Sequence, residues 1–259
     1  MNLSLLFAKL ILYKRSIFQY LTFKIFLFYN KYFFNITYRP EYNILLDYHL
    51  SKSENKNLKN VSIIEFGVAS GNSLKYLEKI KLKYEKKYNL KINLFGFDTF
   101  EGMPKSENIN DQLYDWKQGD FYANYELIQK KLKFTTLIKG NVEDTISQNI
   151  FEKHKISNIL IIFFDLDYYS STSSAFKIFD KVYDKYILPR VGLFFDNLHS
   201  ATEISGEYLS IKNFNKNNFE FGKYISKDFY LERFDNRYYI YLNQNHKNYS
   251  INYNEQKYL

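Results

Sequence analysis

Cysteine is absent from all 259 residues. No disulfide framework, thiolate zinc site or cysteine nucleophile can therefore exist, and the composition suits a reducing cytoplasm. Long apolar runs are also missing. In the opening stretch "MNLSLLFAKLILYKRSIFQYLTFKIFLFYNKYFF" the uncharged segments reach only eight residues, whereas a spanning helix needs about 20 predominantly apolar ones. Acidic residues are missing from positions 1–40, which carry Lys9, Lys14, Arg15, Lys24, Lys31 and Arg39. The whole chain has a net charge of +8, so only +2 is left for the rest. A nucleic-acid-binding domain spreads its basic groups over a binding face. A nearly neutral body therefore argues against nucleic acid as a partner. Abundant Lys, Asn, Tyr, Phe and Ile read as a genome-wide codon bias, so the 20% aromatic content is not a functional signal.

The basic residues of the arm, residues 1–45, scatter around a helical wheel, and no small-residue cleavage site comes after them, which does not suit a secretory signal. Three readings stay open, one of them a true membrane span. The arm is one or two helices packed on the domain or on a partner subunit of a homo-oligomer. Alternatively, it lies in a membrane interface with its cations near lipid phosphates, making a cytoplasmic protein membrane-peripheral.

From residue 60 onward the chain becomes regular. "VSIIEF" (61–66), "INLFGF" (92–97), "TTLIKG" (135–140), "NILIIFF" (158–164) and "VGLFF" (191–195) are short continuous apolar runs. Such runs suit strands buried on both faces of a parallel sheet. Helical spacing relates Leu74, Leu77, Ile80, Tyr84 and Tyr88, and again Ala175, Ile178, Phe179, Val182 and Tyr186. "YANYELIQKKL" (122–132) and "EISGEYLSIKNFN" read as further helices, and "FEFGKYI" and "NRYYIYLN" as two closing, antiparallel strands. The pattern predicts an α/β fold, a Rossmann-like doubly wound and mostly parallel sheet, over residues 46–242. A polar tail spans 243–259. Residues 100–121 form a long connection, and such connections are either lids or disordered.

Ligands of open α/β sheets bind outside the carboxyl ends of the strands. There the five runs place Glu65, Gly67 and Gly71, then Asp98, Asn141, Asp165, and finally Asp196 with Asn197. Every run thus ends in a carboxylate, an amide or a tight glycine turn. In "EFGVASGNS" the glycines allow a tight bend and close approach of a ligand, and Asn72 or Ser73 is placed to cap the next helix. The loop lacks the Gly-Lys-Ser/Thr ending of a P-loop, so it is not one. Ala69 and Ser70 break the dinucleotide fingerprint.

The stretch resembles motif I of the class I S-adenosylmethionine-dependent methyltransferases, Glu-x-Gly-x-Gly-x-Gly, with Ala69 at the middle glycine. "GFDTFEGMP" (96–104) resembles the Asp-Thr-Phe-Glu-Gly-Met/Leu-Pro signature of the macrocin (TylF-type) sugar O-methyltransferases. "GNVEDT" is similar to that family's Gly-x-Val-Glu-Asp-Thr, "DLDYYSST" to its Asp-x-Asp-x-Tyr-x-x-Thr, and "LFFDN" to its Val-Asp-Asp. The chain departs from the family where "SST" replaces Glu-Ser/Pro-Thr and where Asn197 replaces the second Asp, an Asp-Asn pair that resembles catechol O-methyltransferases.

The resemblance implies S-adenosylmethionine as cofactor. Glu65, Gly67, Ala69, Gly71 and Ser73 would surround its methionine end, Asp98 and Thr99 its ribose, and Asn141 and Val142 its adenine. It further implies a Mg²⁺ ion on Asp165, Asp196 and Asn197, with Asp165 or Asp167 as general base. The expected reaction is methyl transfer to a hydroxyl of a sugar or other diol-bearing small molecule or glycan. Asp167 has a second reading, as the cap of the following helix, and His199 is either a base or a surface loop residue. Two other functions stay open: a metal-dependent glycosyltransferase using Asp165-x-Asp167, and a non-catalytic Rossmann-like protein of polysaccharide assembly.

Overall fold

Paired phenylalanines show how the core is divided. Phe163 and Phe164 are adjacent, as are Phe194 and Phe195, and all four are buried. Successive strand residues point to opposite faces, so each pair supplies one ring to each side of a sheet. The computed structural model describes residues 39–52, 57–106, 108–111, 116–198 and 202–249. The basic stretch 1–38 and the residues after 249 lie outside the described residues.

The sheet has seven strands: β1 (Asn60–Phe66), β2 (Lys91–Asp98), β3 (Thr135–Lys139), β4 (Ile159–Phe164), β5 (Ile187–Phe195), β6 (Lys223–Lys227) and β7 (Tyr238–Asn243). Their spatial order is β3-β2-β1-β4-β5-β7-β6. The first five are parallel, and β7 runs antiparallel to both β5 and β6. Of the two closing strands, then, only β7 is reversed, and β6 runs with the first five. Every residue of β4 is buried, which explains its unbroken apolar run. β5 starts at Ile187, four residues before the apolar run does. Pro189 sits in this early part, where the pairing with β4 is irregular. Proline cannot donate to a ladder and is confined to such places.

One face is covered by α1 (Pro40–Ser51), α2 (Asn72–Tyr88) and α3 (Tyr125–Lys131). Tyr42, Leu45, Leu74, Leu77 and Ile128 pack there with Phe163 and Phe194. α1 runs through the expected boundary at residue 45, and Tyr42 stacks on Phe163 with ring centroids 3.9 Å apart. At its far end the His49 ring lies on Gly192, where a Cβ would be 2.4 Å from the ring. The other face carries α4 (Val142–Thr145), α5 (Gln148–His154), α6 (Tyr169–Ala175) and α7 (Gly206–Asn218). Phe151, Ala175, Ile211 and Phe214 pack there with Phe66, Phe97, Phe164 and Phe195. The helix expected through Tyr186 stops at Ala175 and continues as two short 3₁₀ segments. Val182 is accordingly exposed, while Ile178 and Phe179 stay buried. Asn243, the first residue of the expected tail, is buried at the end of β7. No helix among the described residues is long and apolar enough to cross a membrane.

Candidate active site

The strand order reverses between β1 and β4, the switch point where open α/β sheets bind ligands. The ladder continues one residue beyond the strand ends there. Gly67 N–H donates to Phe97 O (3.0 Å), Asp165 N–H to Phe66 O (2.9 Å) and Asp196 N–H to Phe164 O (2.9 Å). Gly140 N–H donates to Asp98 O (3.0 Å). Asp98, Gly67, Asp165 and Asp196 therefore stand along one edge in that spatial order. Gly67 has φ 85°, and a Cβ on it would lie 1.9 Å from the Asp165 backbone oxygen. Only glycine permits this approach.

The loop after β1 is shaped by Asp98. Its Oδ2 accepts from the N–H groups of Val68 (2.7 Å) and Ala69 (2.8 Å), and its Oδ1 from Phe100 N–H (2.6 Å). Ala69 adopts φ 41°, a left-handed conformation that suits the glycine it replaces and costs an L-residue about 1–2 kcal/mol. Gly71, at φ 67°, is itself the N-cap of α2 with no side-chain cap. Asn72 and Ser73 therefore do not cap the helix. Ser73 Oγ instead donates to the fully buried Glu65. Thr99 Oγ1 accepts from Glu101 N–H at 3.1 Å. Asn141 caps α4 through its carbonyl, which accepts the N–H (3.0 Å) and hydroxyl (2.9 Å) of Thr145, and the residue is exposed. Val142 packs against the core beside it.

Beyond the switch point the acids are held by neighbours. Asn197 Nδ2 donates to Asp165 Oδ1 (3.2 Å), and Asp196 Oδ1 pairs with Arg237 (3.1 Å). Asp167 is buried at φ 57° and does not cap α6, whose N-cap is Tyr168 with no side-chain hydrogen bond. Asp111 serves that helix instead: its Oδ1 accepts Ser170 N–H (2.8 Å) and its Oδ2 the Ser170 hydroxyl (2.9 Å). His199 lies outside the described residues.

Glu207, in the first turn of α7, escaped the sequence reading. It is fully buried, its Oε2 accepts Asn197 N–H at 3.1 Å, and its Oε1 has no hydrogen-bond partner among the described residues. Burial, and then the charges of Asp165, Asp167 and Asp196, push its carboxyl well above the usual range against the one bond from Asn197. An acid in a first helical turn is ordinarily a solvated partner of the helix dipole, so nothing local marked it as buried.

No family model matches the sequence, and no curated protein sequence does. Solved structures do match. CalS11, a calicheamicin methyltransferase, aligns with a TM-score of 0.51 at 22% identity, over 68% of this chain and 71% of that one. The chain shares with that methyltransferase a Rossmann-like fold, a mostly parallel sheet flanked by helices. The apo structure of CalS11, described as a TDP-rhamnose 3'-O-methyltransferase of calicheamicin biosynthesis, gives 0.44 at 17% identity, over 71% and 76%. An rRNA methylase from Streptococcus thermophilus gives 0.37 at 11%, over 77% and 93%.

On this methyltransferase fold the loop after β1 suits the implied cofactor. Gly67, Ala69 and Ser70 put no bulky side chain at the edge, Gly71 is buried against Ile128 and Leu132, Val68 is turned into the core, and Asp98 Oδ1 accepts one N–H and has a further lone pair. The implied Mg²⁺ suits its residues less well. Asn197 turns its NH₂ to Asp165, and Asp196 is taken by a guanidinium. Among the described residues no three His, Cys, Asp or Glu side chains are grouped to hold a metal.

The connection after β2 is latched across this edge. Met103 N–H donates to Asp120 O (2.8 Å) and Gly119 N–H to Met103 O (2.9 Å), while Gly206 N–H donates to Asn110 O (3.0 Å). With Asp111 on Ser170, the connection reaches from Asp98 to the starts of α6 and α7. Asp111→Ala removes buried acceptors worth about 1–3 kcal/mol. Hydrogen exchange of the amides in 100–121 is expected to quicken by about tenfold or more, with the sheet unaffected. Unchanged protection would show that the connection is held elsewhere.

Proposed function

We propose that the protein is an S-adenosylmethionine-dependent O-methyltransferase acting on a hydroxyl of a sugar or other diol-bearing small molecule. The observation that carries this reading is the small-residue loop at the β1/β4 switch point, clamped by Asp98 beside a row of carboxylates. The methyltransferase fold and the resemblance of "GFDTFEGMP" and "DLDYYSST" to sugar O-methyltransferases support it. S-adenosylmethionine supplies a methyl group already activated on a sulfonium.

The chain's own residues then have three tasks. Asp98 accepts from a ribose hydroxyl through Oδ1 while holding the loop. Gly67 brings the loop against Asp165, so that cofactor and acceptor meet at the β1/β4 crevice. Asp165 takes the acceptor proton as the oxygen–methyl bond forms, with Asp167 as the alternate base. The donor set does not suit Mg²⁺ as arranged, and no step is assigned to it.

Calorimetric titration with S-adenosylhomocysteine, with a UDP-sugar as control, tests the reading. Binding at about 1–100 µM is expected, abolished in Asp98→Ala shown to be folded. Asp165→Asn should keep that affinity and lose about 10²–10⁴-fold in turnover of an accepted hydroxyl compound. No binding of S-adenosylhomocysteine by folded protein would remove the proposal, and binding of the UDP-sugar in its place would favour the glycosyltransferase.

A further inference from the structure

Arg237 was not among the residues expected at the site. It precedes β7, and the antiparallel register that pairs Phe194 with Tyr238 places it opposite Phe195. Phe195 N–H donates to its carbonyl at 3.2 Å. The side chain is thereby delivered to the end of β5. It is held there on three sides. NH1 pairs with Asp196 Oδ1 at 3.1 Å, while Nε and NH2 take Asp235 Oδ1 (3.0 Å) and Oδ2 (2.7 Å). The guanidinium carbon lies 4.6 Å from the Phe194 ring centroid. Its side chain is only 18% exposed. Arginine does not lose its charge in proteins, and a planar fork held at both edges is not a mobile surface group.

The neighbouring acid is matched by an amide. Asn197 stands where a second carboxylate would bring another negative charge, and its NH₂ donates to Asp165. Next to a carboxylate the donor end of an amide is the favoured one. A divalent ion on Asp165 and Asp196 would have to displace that NH₂ and sit at ion-pair distance from a permanent positive charge.

We infer that the Arg237 guanidinium supplies, from within the chain, the counter-charge at this edge, with the Asn197 amide donating to Asp165 beside it, and that the site works without a divalent cation. The inference deepens the methyl-transfer reading and rests on it, but its test is separate. Mn²⁺, an oxygen-seeking ion detected by its paramagnetic resonance, is titrated into the full-length protein. S-adenosylhomocysteine affinity is measured in EDTA and in Mg²⁺.

Wild-type protein is expected to leave Mn²⁺ free up to about 1 mM, and the affinity to change less than about twofold between the two buffers. Arg237→Met removes the charge and keeps a flexible apolar stem for Phe194. It should bind one Mn²⁺ at least about tenfold more tightly than wild type, and lose it again on adding Asp196→Asn. The inference is overturned if wild type binds one Mn²⁺ below about 100 µM and Asp196→Asn removes it. It is equally overturned if Mg²⁺ tightens S-adenosylhomocysteine about tenfold, or if folded Arg237→Met gains no Mn²⁺. Should Arg237→Met not fold, the wild-type titrations decide. Failure to bind S-adenosylhomocysteine in either buffer would instead count against the methyl-transfer reading, whatever Mn²⁺ does.

Discussion

Gly67→Ala is expected to weaken S-adenosylhomocysteine binding by about 100-fold or more and to lower the unfolding free energy by about 2–4 kcal/mol. Two costs combine. The residue sits at φ 85°, where an L-side chain costs about 1 kcal/mol. Its methyl group would also lie 1.9 Å from the Asp165 carbonyl oxygen and 2.8 Å from the carbon. That neighbour is backbone, so no rotamer change relieves the clash. Both strands are held in place besides: Gly67 N–H is bonded to Phe97 and Asp165 N–H to Phe66. Admitting the methyl group must part the ends of β1 and β4 by more than about 1 Å, at the place where the proposed cofactor and acceptor would meet. Gly71→Ala is the control. Its Cβ would lie 2.9 Å from the Ile128 Cγ2 methyl and 3.4 Å from Leu132 Cδ1; these are side-chain atoms, which a small shift can relieve where backbone cannot, so its cost should be about half that at Gly67 or less. Calorimetry and thermal melts on both variants decide the matter. Equal losses at the two glycines would mean that the close approach of β1 to β4 does not shape the site.

His49→Phe is expected to change how stability responds to acid. The His49 ring is buried against Gly192, and burial, with the charge of Lys52 nearby, depresses its pKa from 6.5 to about 3. Between those values the unfolded chain binds a proton that the folded chain does not. Stability contributed by neutral His49 is therefore fully present above pH 6.5 and is lost as pH falls toward 3, by about 1.4 kcal/mol per pH unit. Glu207 acts in the opposite sense. Its folded pKa is raised, so its contribution is present below the unfolded value of 4.5 and falls as pH rises. Because the two slopes oppose each other, the wild-type curve alone is uninformative. The difference between wild type and His49→Phe is what should change, by about 1.4 kcal/mol per pH unit from 6.5 down to 5. Denaturant titrations at four pH values measure it. Parallel curves would show that His49 titrates normally or that its ring is solvated.

Much of the architecture was legible because it depends on near neighbours. β1 and β4 lie at the centre of the sheet with every residue but Asn60 buried, so burial on both faces was written locally as unbroken Ile, Leu and Phe in β4 and as Val, Ile and Phe broken only by Ser62 and Glu65 in β1. The glycine loop and Asp98 could be placed because a turn and a strand end are short-range features. β5 was read too short, since Pro189 and the irregular pairing beside it erase the periodic signal.

At the candidate site, the sequence by itself determined which strand-end acids and amides reach the carboxyl edge, since strand length and the parallel arrangement carry them there. Their partners were a different matter. Asp111 rather than Asp167 serves the start of α6 across 59 residues, and Arg237 meets Asp196 across 41. Glu207 is a buried acid rather than a solvated first-turn one. Only the tertiary structure decided these, because the charge state and freedom of a carboxylate depend on what is packed against it, and the packing partners come from segments that no local pattern relates.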